Sequence, residues 1–182
     1  MEKTKIYFNE KERNIKLIFI ALGSNLNSEK FGSPEKNCRE AIKELKNFFL
    51  VNKISSFYES EAIPNSEQSW FVNCVVEIIT RKQPIEVLKI LLKIEQSFGR
   101  IRENKNEPRI IDLDLLTYND IILNKKKLIL PHPRLHQRNF VLLPIYDLNP
   151  NWMHPILKKN VKYFINKFKD TQKIKKMDLC VE

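Results

Sequence analysis

The sequence predicts an α+β domain: an antiparallel sheet with helices packed on one face, in the order β-α-β-β-α-β. Three observations carry that expectation. Short apolar runs rich in β-branched residues alternate with two stretches of helical apolar spacing. Proline and glycine stand at the ends of those helical stretches, Pro34 and Pro84 at their starts and Gly99 at a stop. The chain has 182 residues, 42% of them hydrophobic, enough for one well-packed core.

The elements follow in order. Leu17 to Gly23 reads as a buried strand ended by glycine, and Ser24 to Ser33 as a polar loop. Ser33 can cap the first helix, whose stripe is Cys38, Ala41, Ile42, Leu45, Phe48 and Phe49. Val51 to Tyr58 is the second strand, Glu59 to Ser69 a loop, and Trp70 to Thr80 the third strand. The second helix sets Ile85, Leu88, Leu91, Leu92 and Phe98 toward the core. Arg100 to Pro108 is a charged loop, poor in apolar anchors and expected to close over a bound ligand. Arg109 to Tyr118 is the fourth strand, followed by a turn at Asn119-Asp120 and a short strand at Ile121 to Leu123. This order is that of the ferredoxin-like sandwich. The domain is expected at 17–168, between an N-terminal extension, 1–16, and a basic tail, 169–182, both poorly tied.

Composition narrows the class. Cys38, Cys74 and Cys180 are odd in number and far apart, which fits a reducing, cytoplasmic setting better than a disulfide framework. No apolar run reaches the ~18 residues of a membrane span. The formal charge is +10, and half of it sits in Leu157 to Glu182, where eight Lys face three acids. A solvated basic face is the preferred reading of that tail, and the remaining excess suits an anionic substrate.

The strongest local signal is Asp112-Leu113-Asp114 inside the apolar strand Ile110 to Leu116. Alternation puts both carboxylates on one face, ~6.6 Å apart along the strand. Their mutual repulsion is relieved by a hard divalent cation such as magnesium, which binds through one or two carboxylates plus substrate phosphates. Taken alone, the pair fits equally well the polar outer face of an edge strand. Arg100, Arg102, Lys105 and Arg109 precede it, and guanidinium forks suit phosphate oxygens. The run Pro131 to Phe140 packs His132, His136, Arg134 and Arg138 between and after prolines; its HxxxH spacing lacks the glutamate of a zinc helix. Two residues break their patterns. Glu95 sits on an apolar helical stripe, at an exposed end or pointing into a site. Asn73 lies within a buried strand, where its amide needs a partner and could pair with a heterocycle. No glycine-rich phosphate loop is present among three glycines, so a nucleotide would be held by side chains and metal.

Together the motifs Ala21-Leu22-Gly23-Ser24-Asn25-Leu26, Ser55-Ser56-Phe57-Tyr58, Phe71-Val72-Asn73, Ile94-Glu95 with Gly99-Arg100, Pro108 to Leu116, and Leu130 to His136 running to Arg138 and Phe140 resemble the 6-hydroxymethyl-7,8-dihydropterin pyrophosphokinase family. The resemblance spans Phe19 to about Leu157. It implies transfer of the ATP diphosphate to a hydroxymethyl-dihydropterin, leaving AMP, as a step of folate synthesis. Asp112 and Asp114 would hold two Mg2+ ions. Phe71 and Phe140 would sandwich the pterin and Asn73 would bond its edge. Arg100 and Arg109 would engage the triphosphate, while Glu95, Arg102, His132 and Arg138 would line the nucleotide side. In-line attack of the hydroxymethyl oxygen on the β-phosphorus follows, with no evident protein base.

Three departures stand out: Glu107 replaces the glycine usual before the Pro-Arg pair, Glu59-Ser60-Glu61 lacks a common proline, and Leu92 is apolar where some relatives are polar. A basic RNA-binding module of the same element order is the rival reading. Its aromatic signature does not match Trp70 to Glu77, and an acid pair on the sheet repels a phosphate backbone. No nucleic acid or membrane is expected as a partner, and the enzyme is expected to act as a monomer.

Overall fold

The computed structural model describes residues 16–62, 68–99, 108–169 and 172–178. Arg100, Arg102, Lys105, Glu107 and the expected closing loop lie outside the described residues, as do Cys180 and most of the N-terminal extension.

The sheet runs β5 (Asp112–Tyr118), β1 (Lys16–Ser24), β4 (Phe71–Thr80), β3 (Tyr58–Ser60), β8 (Ile174–Lys176), with β2 (Leu50–Ile54) also paired to β4, and every described pairing of these strands is antiparallel. β1 (Lys16–Ser24) and β4 (Phe71–Thr80) form its centre, and β5 (Asp112–Tyr118) lies on the outer side of β1. Alternation along β1 divides the residues between two cores. Ile18, Ile20 and Leu22 join Cys74, Val76, Leu113 and Leu115 beneath α1 (Pro34–Lys46) and α2 (Pro84–Ser97). Phe19 joins Val75 and Leu116 beneath α3 (Asn139–Leu148) and α4 (Val161–Phe168). The α1 and α2 layer is the expected one. The second helical layer on the opposite face is new: Pro144, inside α3, reads in sequence as a helix breaker.

Local chemistry explains the boundaries. Ser33 caps α1, its Oγ accepting from the Lys36 amide at 3.4 Å, and Pro34 opens the first turn. Gly99 follows α2 with φ +79°, a left-handed conformation that costs glycine little. The α2 stripe differs from expectation: Val87, Leu91, Ile94 and Glu95 are its buried residues, while Ile85 is 39% exposed. Two adjacent faces of this helix are apolar, so its seat on the sheet selects the buried one.

Four further corrections concern strands. The expected strand Val51 to Tyr58 is divided into β2 (Leu50–Ile54) and β3 (Tyr58–Ser60), both on β4. Ser55 to Phe57 faces only Cys74 and Val75, an insertion of one residue. The Ser55 amide donates to the Val75 carbonyl and the Val75 amide to Ser55 Oγ, each at 2.9 Å, so a hydroxyl replaces a carbonyl in the ladder. The loop expected from Glu59 therefore begins after Ser60. β5 starts at Asp112, which leaves Arg109 in the segment before the strand. In place of a strand at Ile121 to Leu123, a hairpin joins β6 (Leu123–Lys125) to β7 (Leu128–Leu130). Finally, β8 (Ile174–Lys176) pairs with β3, within the tail expected to be poorly tied.

Candidate functional site

Register assembles the site across three strands. Gly23 stands opposite Asp112 on β5 and opposite Asn73 on β4. Ala21 stands opposite Asp114, and Phe71 lies one step along the same face from Asn73. Asp112, Gly23, Asn73 and Phe71 therefore share the face that α3 and α4 cover further along. Gly23 makes the floor of this strip: a Cβ there would lie 3.2 Å from Asn73 Oδ1 and 3.9 Å from the Phe71 ring. The absence of a side chain at this point opens a shallow cradle between the acid pair and the aromatic.

Both carboxylates have cationic neighbours. Arg109 Nη1 donates to Asp112 Oδ2 at 2.7 Å. Arg138 Nη1 lies 3.7 Å and His132 Nε2 4.0 Å from Asp114 Oδ2, which is the more open acid at 38% side-chain exposure. Burial, then Arg138 and Arg134, push His132 down to about 4. Its ring is therefore neutral near pH 7. Its Nδ1 accepts from the Arg134 amide at 3.3 Å, which puts the proton on Nε2, toward Asp114. Burial and Arg134 also lower Arg138, which stays charged.

The aromatic side is equally ordered. The Arg109 guanidinium lies over the Phe71 ring at 5.9 Å, and that of Arg138 over Phe140 at 5.4 Å. Asn73 is buried; its Nδ2 donates to Ser60 Oγ at 3.0 Å and to the Phe71 carbonyl at 3.3 Å. That leaves Oδ1, an acceptor, turned toward Gly23. Glu95, 2% exposed, reaches β5 from α2, and its Oε1 accepts from the Leu113 amide at 2.8 Å. Its carboxylate thus sits on the backbone between the two aspartates and caps a donor of the edge strand. His136 stands apart, its ring edge-on to His154 at 5.6 Å and to Phe164 at 5.9 Å.

One residue of the site carried no role in the sequence reading. Asn25 is 3% exposed, and its Oδ1 accepts from the Arg109 amide at 2.8 Å. The amides of Asn25 and Leu26 donate in turn to the Arg109 carbonyl at 3.1 and 3.3 Å. Asn25 Nδ2 reaches Gln68 Oε1 at 3.3 Å and the Ser69 carbonyl at 3.4 Å. It therefore ties the segment before β5 to the segment before β4 and fixes where Arg109 leaves the backbone. A polar residue directly after a buried strand was the available signal.

The donor set suits a hard cation. Two carboxylates project from one face of an extended strand into a partly open cradle, each already balanced by nearby positive charge. Among the described residues no group of three or more His, Cys, Asp and Glu side chains converges. Remaining coordination positions would fall to phosphate and water oxygens, the manner in which magnesium is commonly held. Also among the described residues, no helix is long and apolar enough to cross a membrane.

Residues 19–150 match the family model described as 7,8-dihydro-6-hydroxymethylpterin-pyrophosphokinase. The chain is 37% identical over 147 residues to 2-amino-4-hydroxy-6-hydroxymethyldihydropteridine pyrophosphokinase of Aquifex aeolicus, covering 81% of this chain and 89% of that protein. It is 38% identical over 134 residues to the Bacillus subtilis protein of the same name, covering 72% and 77%. A folic acid synthesis protein of Dictyostelium discoideum is 36% identical over 141 residues, 78% of this chain, but only 21% of that longer protein is spanned. Among solved structures, a Plasmodium falciparum HPPK-DHPS superposes with a TM-score of 0.66 at 16% identity, over 87% of this chain and 46% of that one. That likeness establishes the fold.

Proposed function

Because the chain belongs to the 7,8-dihydro-6-hydroxymethylpterin-pyrophosphokinase family, we propose that it transfers the diphosphate of ATP to 6-hydroxymethyl-7,8-dihydropterin, releasing AMP. The observation that carries this reading is the strip Asp112–Gly23–Asn73, which sets an acid pair beside an amide acceptor and an aromatic ring on one sheet face.

In this reading Asp112 and Asp114 would hold two Mg2+ ions, which would neutralise phosphate charge and acidify the attacking hydroxyl. Phe71 and Phe140 hold the pterin ring by its faces, and Asn73 Oδ1 accepts from a ring N–H. Arg109 bridges the two halves, over Phe71 and bonded to Asp112. His132 keeps its proton on Nε2 at neutral pH, so it donates to a phosphate oxygen and is not the base. Arg138 adds a fixed positive charge beside Asp114. Glu95 braces β5, on the nucleotide side. By the family's pattern Arg100 joins Arg109 on the triphosphate and Arg102 lines the nucleotide side. The new bond joins the hydroxymethyl oxygen to the β-phosphorus, the bond from that phosphorus to the α-phosphate bridge breaks, AMP leaves with its electron pair, and the hydroxyl proton is released to solvent. With no base within the strip, positioning and electrostatics supply most of the rate.

The unit doing this is assigned to residues 17–168, acting as one chain on two small molecules in the cytoplasm, without nucleic acid or membrane. The unpaired, buried Cys38 and Cys74 suit that compartment. The test is product identity. Incubated with ATP, magnesium and hydroxymethyl-dihydropterin, the protein should release AMP stoichiometric with pterin diphosphate. Release of ADP, or no dependence on the pterin, would refute the assignment.

A further inference from the structure

We propose that residues 172–177, beyond the span matched by the family, clamp β3 and thereby position the ring-binding half of the site; this rests on the transferase reading above. β3 is only three residues long and has β4 on one side. β8 occupies its other side, pairing Tyr58 with Lys176, Glu59 with Lys175 and Ser60 with Ile174. The Glu61 amide donates to the Lys173 carbonyl at 3.1 Å and the Met177 amide to the Phe57 carbonyl at 2.9 Å. Antiparallel bonded pairs recur every second residue, so Glu59 and Lys175 form the bonded pair between them.

Two routes lead from this clamp to the site. The first passes through Ser60, 1% exposed, whose Oγ accepts from Asn73 Nδ2. That bond, with the one to the Phe71 carbonyl, fixes which way the Asn73 amide faces. If Ser60 moved, the amide could turn, and a donor would replace the acceptor above Gly23. The second route passes through Asp147 on α3. Its Oδ2 accepts from Tyr58 Oη at 3.0 Å and from the Ser56 amide at 3.2 Å, and Lys176 Nζ lies 3.9 Å from its Oδ1. The first turn of α3 carries Phe140. Asn73 and Phe140 therefore both depend on the β3–β8 edge, whereas the acid pair lies three strands from β3, beyond β4 and β1. The side-chain pairs Lys173–Glu61 at 3.1 Å and Lys175–Glu59 at 2.7 Å are lysine-exposed and contribute little; the backbone ladder and the buried Gln172, whose Nε2 donates to the Glu61 carbonyl at 2.8 Å, do most of the holding.

The experiment is steady-state kinetics on the full chain. Lys175→Pro deletes the central amide of the ladder and should raise KM for the pterin about tenfold, the worth of one positioning hydrogen bond. KM for ATP and kcat at saturating pterin should stay within about twofold. Lys175→Ala, which keeps the amide, should match the parent, and Ser60→Ala should repeat the pterin defect. If Lys175→Pro fails to fold, Ser60→Ala together with amide exchange across Tyr58 to Ser60 decides. An active parent whose pterin KM is unmoved by both changes, or moves together with kcat and the ATP KM, overturns the clamp alone. A parent that forms no AMP overturns the transferase reading and the clamp with it.

Discussion

The two faces of the central sheet are built from the same strands and do different work. Under α1 and α2, alternate residues in the middle of β1 and β4 and the start of β5 form an unbroken apolar set: Ile18, Ile20, Leu22, Cys74, Val76, Ile78, Leu113 and Leu115. The alternating positions carry Gly23, Asn73, Asp112 and Asp114 at one end and Phe19, Val75 and Leu116 at the other. The helices α3 and α4 cover only the apolar end of that second face. The first face stores stability; the second gives up burial at one end to expose donors, acceptors and charge. Strand alternation lets one chain do both without compromise, because neighbouring residues belong to different environments.

The comparison breaks most sharply at the acid pair. Asp112→Asn or Asp114→Asn should lower turnover by about a thousandfold or more, since each removes charge that must offset phosphate. The melting temperature should hardly move, because both side chains are part-exposed. Near-normal turnover at saturating magnesium would remove both residues from the mechanism. Leu22→Ala is the mirror experiment. Leu22 is 1% exposed between Cys74 and Leu113, so its truncation should cost about 2–5 kcal/mol by chemical denaturation. The folded fraction should keep its KM values. A KM change would show that the faces are coupled.

Acid sharpens the contrast, because all three histidines, His132, His136 and His154, lie on the α3 and α4 side. Burial holds His132 and His154 at about 4, below the ordinary histidine value of 6.5. Between those values the unfolded chain binds more protons than the folded one. Stability should therefore be full above pH 6.5 and fall as pH drops toward 4, on the order of a few kcal/mol. His154 Nδ1 accepts from the amides of Ile156 and Leu157, both at 3.2 Å, and protonation would break both bonds. Denaturant titrations at pH 7 and 5 measure the loss, and His154→Asn should reduce it. A pH-independent stability over this range would mean the rings are not held neutral. The smallest effect is expected from Phe140→Ala. Loss of one stacking face should weaken pterin binding by about 1–3 kcal/mol, with ATP binding much less affected. Calorimetry giving equal losses for the two ligands would make Phe140 a packing residue.

What the sequence alone determined is whatever depends on short-range pattern. Period-two alternation placed Asp112 and Asp114 on one face, Ser33, Pro34 and Gly99 marked helix ends, and apolar periodicity identified β1, α1, β4 and α2. Family motifs carried the activity and named Asn73, Arg109, His132 and Arg138 as candidate site residues. Tertiary structure decided the rest, because it depends on partners distant in the chain. Which apolar stripe of α2 is buried depended on where the helix lands, and the break at Ser55 on the register opposite Val75. The role of Asn25 depends on Arg109, 84 residues later. The β8 strand is a short, lysine-rich segment that no local propensity marks as β. It is ordered by the backbone donors and acceptors that β3 leaves open at its edge, and an unpaired edge is visible only once the sheet exists.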